Sequence, residues 1–169
     1  VCHSHATLCF LKMKPEYGYR LFKTQNFEPA GKKWVIGEAD PAHRKVCNFI
    51  NPDTAELKNV VDSLCKHFNC SAENLADALA GYSFGIELGG EYYVRSVASM
   101  DVAKKNIAFY CDTPLGTELH LMKSTGFVEQ TTSDYQKFSQ GYATPVAGIL
   151  FDCILRRLNN DKNLAELAC

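Results

Sequence analysis

Near the end of the chain, residues 146–160 read VAGILFDCILRRLNN, an apolar run that passes into Asp152, Cys153, Arg156 and Arg157. These types could do two kinds of chemistry. A cysteine attacks as thiolate when a base stands beside it and a third group orients that base. A guanidinium grips carboxylates and phosphates through a planar, bidentate fork. For the first, Cys153 lacks an evident base. His43 falls in a loop, His67 on a helix, and His120 inside the strand-like ELHLM, where a single histidine is more often structural. For the second, Arg95 adds a guanidinium within another strand, EYYVRSV. Arg95 and Asp152 together would suit a zwitterion such as an amino acid, or they satisfy only each other.

Other chemistries have weaker signals. Cys2, His3, His5 and Cys9 are zinc-type ligands, but their spacing fits no standard pattern and the chain has no Cys-x-x-Cys, so no metal site is assigned. Gly89-Gly90 joins two strands and does not open a helix, so it is a turn and not a phosphate cradle. Glu87 and Glu91 flank that turn and face water.

At 169 residues the chain is expected to form one domain. A net charge of -1 gives no basic face for nucleic acid. No apolar run approaches the roughly 18 residues of a membrane span, and the first residues lack a signal-peptide pattern. Eight cysteines are compatible with a disulfide framework. Several of them, Cys47, Cys65, Cys111 and Cys153, sit within apolar runs, where free cysteine packs as a small hydrophobe. The expectation is a reduced, cytoplasmic protein without disulfides.

The elements that position these groups follow from periodicity and turn residues. Residues 1–13 read as a strand, and 29–32, PAGK, as a tight turn. Strands over 33–39 and 44–50 form a hairpin through a polar loop containing Pro41. Leu57, Val60, Val61, Leu64 and Phe68 share one helix face, with Asp53 as N-cap and Glu56 completing a capping box. A second helix runs over 73–80 and ends at Gly81. Residues 84–88 and 91–97 pair through Gly89-Gly90. Further strands are expected over 106–111 and 118–122, a helix over 132–140, and a buried strand over 147–151 that ends in the charged cluster. The fold class is α+β, an antiparallel or mixed sheet with helices packed on it.

Five segments taken together resemble a known family. F-x-P-x-G-K-x-W-V-I from Phe27 to Ile36 is followed by ADPAHRKVCNFIN, SFGIELGGEYYVRSV, AFYCDTPLGTELHLMK and AGILFDCILRRLNN. Their order and spacing resemble the C-terminal half of FIST domains from about residue 27 onward. EYYVRS and FDCILRR are the strongest pieces, most similar to sensor regions of bacterial methyl-accepting chemotaxis transducers. The resemblance implies a sensory input domain that binds a small ligand, works through a signalling output domain, and carries no catalytic activity or cofactor. It also implies that 1–169 is a piece of a longer protein, because the family's N-terminal half and final strand have no counterpart here.

The candidate ligand-binding residues are Tyr93, Arg95, Asp152, Cys153, Arg156 and Arg157. The candidate ligand is an amino acid or organic acid; no nucleic acid, membrane insertion or metal is expected. Two other classes stay open: a small hydrolase or transferase using Cys153, and a protein-interaction module.

Overall fold

A computed structural model describes residues 8–51, 53–151, 153 and 155–157. Among the described residues eight strands form a single sheet: β1 (Phe27–Asp40), β2 (Lys45–Ile50), β3 (Leu57–Asn59), β4 (Tyr82–Leu88), β5 (Glu91–Arg95), β6 (Val97–Asp101), β7 (Asn106–Phe109) and β8 (Glu118–Ser124). Their order is β5-β4-β8-β1-β2-β7-β6, with β3 paired to β2, and every pairing is antiparallel. The described residues also form the helices α1 (Val60–Phe68), α2 (Leu75–Ala78) and α3 (Phe127–Ser139). The architecture is therefore α+β with an antiparallel sheet.

Alternation along the strands sets the core. Ile36, Phe84, Ile86, Leu119 and Leu121 point to one face and are buried there. Val60, Val61 and Leu64 of α1 and Leu75 of α2 close over that face. Trp34 stacks on Phe49 at 5.3 Å between ring centroids and takes the edge of His67 at 5.4 Å. Residues of the same strands with opposite parity, Lys33, Gly85, Glu87, His120 and Met122, point away from α1.

Both expected hairpins form. Val35 pairs with Ile50 and Asp40 with Lys45. Leu88 pairs with Glu91 across a turn whose Gly89 and Gly90 have φ of +62° and +82°, the two positive values that a two-residue hairpin loop requires.

Other local expectations are corrected. Residues 8–13 are not a strand; they lie exposed. PAGK does not reverse the chain. It lies inside β1, where the pairing with β8 slips between Pro29 and Lys33 and Gly31 takes φ +78°. The helix expected after Asp53 starts later. Leu57 to Asn59 pair with β2 instead, and the Asn59 side chain caps α1 by accepting from the N–H groups of Val61 and Asp62. Sheet pairing overrode the helical periodicity there. The second helix shrinks to the single turn of α2, whereas α3 starts five residues earlier than its pattern indicated.

The largest correction concerns 147–151. Its described residues form no strand and are open to solvent, with Phe151 93% and Leu150 84% exposed. An apolar run is buried only where a partner surface is available, and the core face of this sheet is already covered by α1 and α2.

Partial desolvation of the His67 ring where its edge meets Trp34, reinforced by the charge of Lys32, holds its imidazole below its ordinary value near 6.5, even though the residue as a whole is exposed. The unfolded chain therefore binds that proton first as pH falls. The stabilisation is complete above the ordinary value and is lost as pH drops below it toward the folded one. Asp40, Glu91 and Glu118, whose carboxyls are held low by His43, Lys23 and Lys33, act in a separate window below their own ordinary values of 3.8 and 4.5. Thermal melts from about pH 7 to about pH 5 should thus show declining stability, and His67→Gln should flatten this slope. An unchanged slope in the variant would remove His67 as its source.

Candidate functional site

The helix α3 has no buried residue, so something other than the sheet's core must hold it. That role falls to a strap, residues 20–26, which runs along it. The Arg20 guanidinium lies over the rings of Phe138 at 4.2 Å and Tyr142 at 3.4 Å and donates to the Phe138 carbonyl. Phe22 packs against Tyr135 and Phe138, with centroids 5.7 and 5.2 Å apart. The Thr24 hydroxyl donates to Asp134 Oδ2 at 2.7 Å, and Gln130 Nε2 donates to Asp134 Oδ1 at 2.8 Å.

The strap also reaches the sheet edge. Lys23 Nζ bonds Glu91 Oε2 at 2.6 Å and lies 4.0 Å from the centre of the Tyr93 ring. This contact raises the lysine's pKa and lowers the glutamate's, through the charge-assisted hydrogen bond between them. Strap, β5 and α3 enclose a groove of about 630 Å³. Its polar lining includes Lys23, Thr24, Glu91, Gln130, Asp134 and Lys137. The Lys137 ammonium has no hydrogen-bond or ion-pair partner among the described residues. The groove thus holds cations and carboxylates within one concave surface, with Phe22 and Phe138 as its apolar part.

The candidate residues fall in different places. Tyr93 borders the groove through Lys23. Arg156 borders it from the other side: Nη2 donates to Thr131 Oγ1 at 2.8 Å, Nη1 reaches the Thr24 carbonyl at 3.5 Å, and the guanidinium lies 4.2 Å over Phe127. Arg157 is exposed, and its N–H donates to the Cys153 carbonyl. Cys153 is an exposed free thiol, and no hydrogen bond joins it to a histidine among the described residues. Asp152 lies outside the described residues.

Arg95 is half-buried at the far end of β5 from Glu91, about 13 Å along the strand at the usual rise. Its Nε donates to the Asp112 carbonyl at 3.2 Å and its Nη1 to the Val94 carbonyl at 3.3 Å. Arg95 therefore braces the 110–116 loop.

Lys23, Gln130, Asp134 and Lys137 carry no motif. Lys23 lies in the 19–27 stretch, which reads as short extended pieces, and Asp134 and Lys137 lie in the helix expected over 132–140, where nothing sets them apart from solvated positions. Among the described residues no group of three or more His, Cys, Asp or Glu is placed to hold a metal, and no helix is long and apolar enough to cross a membrane. Cys2, His3 and His5 lie outside the described residues.

A family model described as the FIST C domain matches residues 57–168, more than half of the chain. The matched span starts at β3, while β1 and β2 lie in the middle of the same sheet, between strands that belong to the match. No curated protein and no solved structure matches the chain.

Proposed function

The chain belongs to the FIST C domain family, a sensory domain family and not a known enzyme family, and on that premise we propose that it binds a small zwitterion such as an amino acid in the groove between the strap and α3. The observation that carries the reading is the charge pattern of that groove: among the described residues the Lys137 ammonium has no ionic partner, while the Asp134 carboxylate is fixed by two donors. A ligand carboxylate would meet Lys137, and its ammonium would meet Asp134 and Glu91. Tyr93 and Arg156 serve by holding the two walls. Tyr93 lies against Lys23, and Arg156 ties Thr24 to Thr131 of α3.

The same contacts give a route to output. Because no residue of α3 is buried, its position depends on the strap, and a ligand that bridges the helix to the β5 edge would favour one position over others. A ligand shifts such an equilibrium by its differential affinity for the two arrangements. A cytoplasmic signalling domain in the full-length protein would read that shift.

Screening standard amino acids and small organic acids by thermal shift tests the reading, since a ligand specific for the folded state raises apparent stability. One or more amino acids should raise Tm, and Lys137→Ala and Asp134→Asn should each weaken that ligand roughly tenfold, the size of one charge-assisted hydrogen bond. Equal affinity in both variants would move the site elsewhere.

A second reading, a protein-interaction module, is favoured by the exposed apolar residues Val146, Ile149, Leu150 and Phe151. Isolated exposed hydrophobics are ordinary, but a contiguous run of this kind marks a surface that gains from being covered.

A further inference from the structure

The C-terminal end of α1 is closed by a Schellman turn that begins and ends on cysteine. Asn69 stands just past the helix in the left-handed region, at φ +51° and ψ +47°. Its N–H turns back to the Cys65 carbonyl, and the Cys70 N–H donates to the same carbonyl at 3.1 Å. Such a closure typically brings the side chains of its first and last residues into apolar contact. Here those residues are Cys65 and Cys70. Both pack against the hydrophobic core, and both stay partly open to solvent.

Both cysteines are free thiols. Burial, and then the charge and hydrogen bond of Cys70, push the Cys65 thiol above its ordinary value of 9.0. Cys65 therefore keeps its proton and turns it toward Cys70. A disulfide needs Cα atoms about 4.4–6.8 Å apart, and a backbone hydrogen bond between the two residues themselves keeps chain segments at such distances. As packing alone, the contact asks only for two small apolar groups. Two thiols can also exchange it for a covalent bond.

We propose that Cys65 and Cys70 form a reversible disulfide when the protein meets a hydroperoxide, which locks the end of α1. Cys70, as thiolate, attacks one oxygen of the peroxide. The O–O bond breaks, the far oxygen takes up a proton and leaves as water, and Cys70 becomes a sulfenic acid. Cys65 Sγ then attacks Cys70 Sγ. The S–S bond forms, the S–O bond breaks, and the second oxygen leaves as water with the Cys65 proton. Two electrons pass from the thiols to the peroxide, and a dithiol reductant returns them to the sulfurs. The pair lies with α1 on the core face of the sheet and does not depend on the strap groove.

The test uses Lys66, which lies between the two cysteines and is a trypsin site. The 169-residue chain is treated with hydrogen peroxide at low protein concentration. Its remaining thiols are capped with N-ethylmaleimide, and it is unfolded and digested without reductant. Peptides 59–66 and 67–95, which hold one cysteine each, should be recovered joined, two hydrogen masses lighter than their sum. This link should carry most of the disulfide formed, and dithiothreitol should separate it. Peroxide treatment in guanidinium chloride should spread bridging among the other cysteines, since the turn is lost. Cys70→Ser, nearly the same in size, should leave Cys65 capped. Recovery of Cys65 capped in the parent chain, with Cys70 either capped or oxidised alone, would overturn the proposal. So would a bridge from Cys65 to a different cysteine, or an equal share of the Cys65–Cys70 bridge in denaturant.

Discussion

Phe84→Ala should lower the stability of the fold by about 3–5 kcal/mol, the range for removing a buried aromatic ring from a packed core. Phe84 is fully buried in β4, between the Leu121 and Arg95 pairings of the neighbouring strands. Its ring meets Phe109 edge-on at 5.7 Å and lies 6.3 Å from Trp34. It therefore joins the β4 side of the sheet to β7 and β1, and no flexible side chain stands ready to fill the space. At about 2–4 °C per kcal/mol for a chain of this size, Tm should fall by on the order of 10 °C. A denaturant melt measures this directly. A loss below about 1 kcal/mol would mean that the core closes over the gap, and that the ring is not central to it.

Gly37→Val should be the next most damaging change, at about 2–3 kcal/mol. The pairing of β1 with β2 slips on both sides of Glu38, so Gly37 sits where the register is broken. A Cβ there would come 2.5 Å from Leu57 Cδ2 and 3.0 Å from both Cβ and N of Ile50. The Leu57 tip can rotate away, but the Ile50 backbone belongs to β2, and β3 is paired to it at that point. Overpacking against backbone costs about 1–3 kcal/mol, sometimes more. Valine's preference for strands does not offset a clash with the neighbouring strand. Gly37→Val melting within about 0.5 kcal/mol of the parent would show that β3 yields easily.

Much of the sheet was legible because its signals are local. Gly89-Gly90 between two alternating runs fixes a hairpin whatever surrounds it, and the polar loop at Pro41 fixes another. The start of α1 was misplaced because Leu57 fits both a helix face and a strand, and only the long-range pairing with Ile50 decides between them. The 147–151 run shows the limit of hydrophobicity as a guide: it reports a tendency to be buried, not the presence of a surface to bury against. Chemical type alone marks the candidate ligand residues. Tyr93 touches Lys23, and Arg156 touches Thr24 and Thr131, beside the groove, while Arg95 braces a loop at the other end of its strand. The strap and α3 are far apart in the chain, with Thr24 and Asp134 110 positions from each other, so no short pattern could bring the two walls together.

The central claim is that the strap and α3 form the ligand site. The most direct test is backbone chemical-shift mapping of the chain with the amino acid that raises its Tm most. The account predicts that saturable shifts concentrate at Lys23, Thr24, Gln130, Asp134 and Lys137, while Arg95 and Asp112 stay where they are. Shifts centred on Arg95 and the 110–116 loop, with the strap and α3 unmoved, would contradict it.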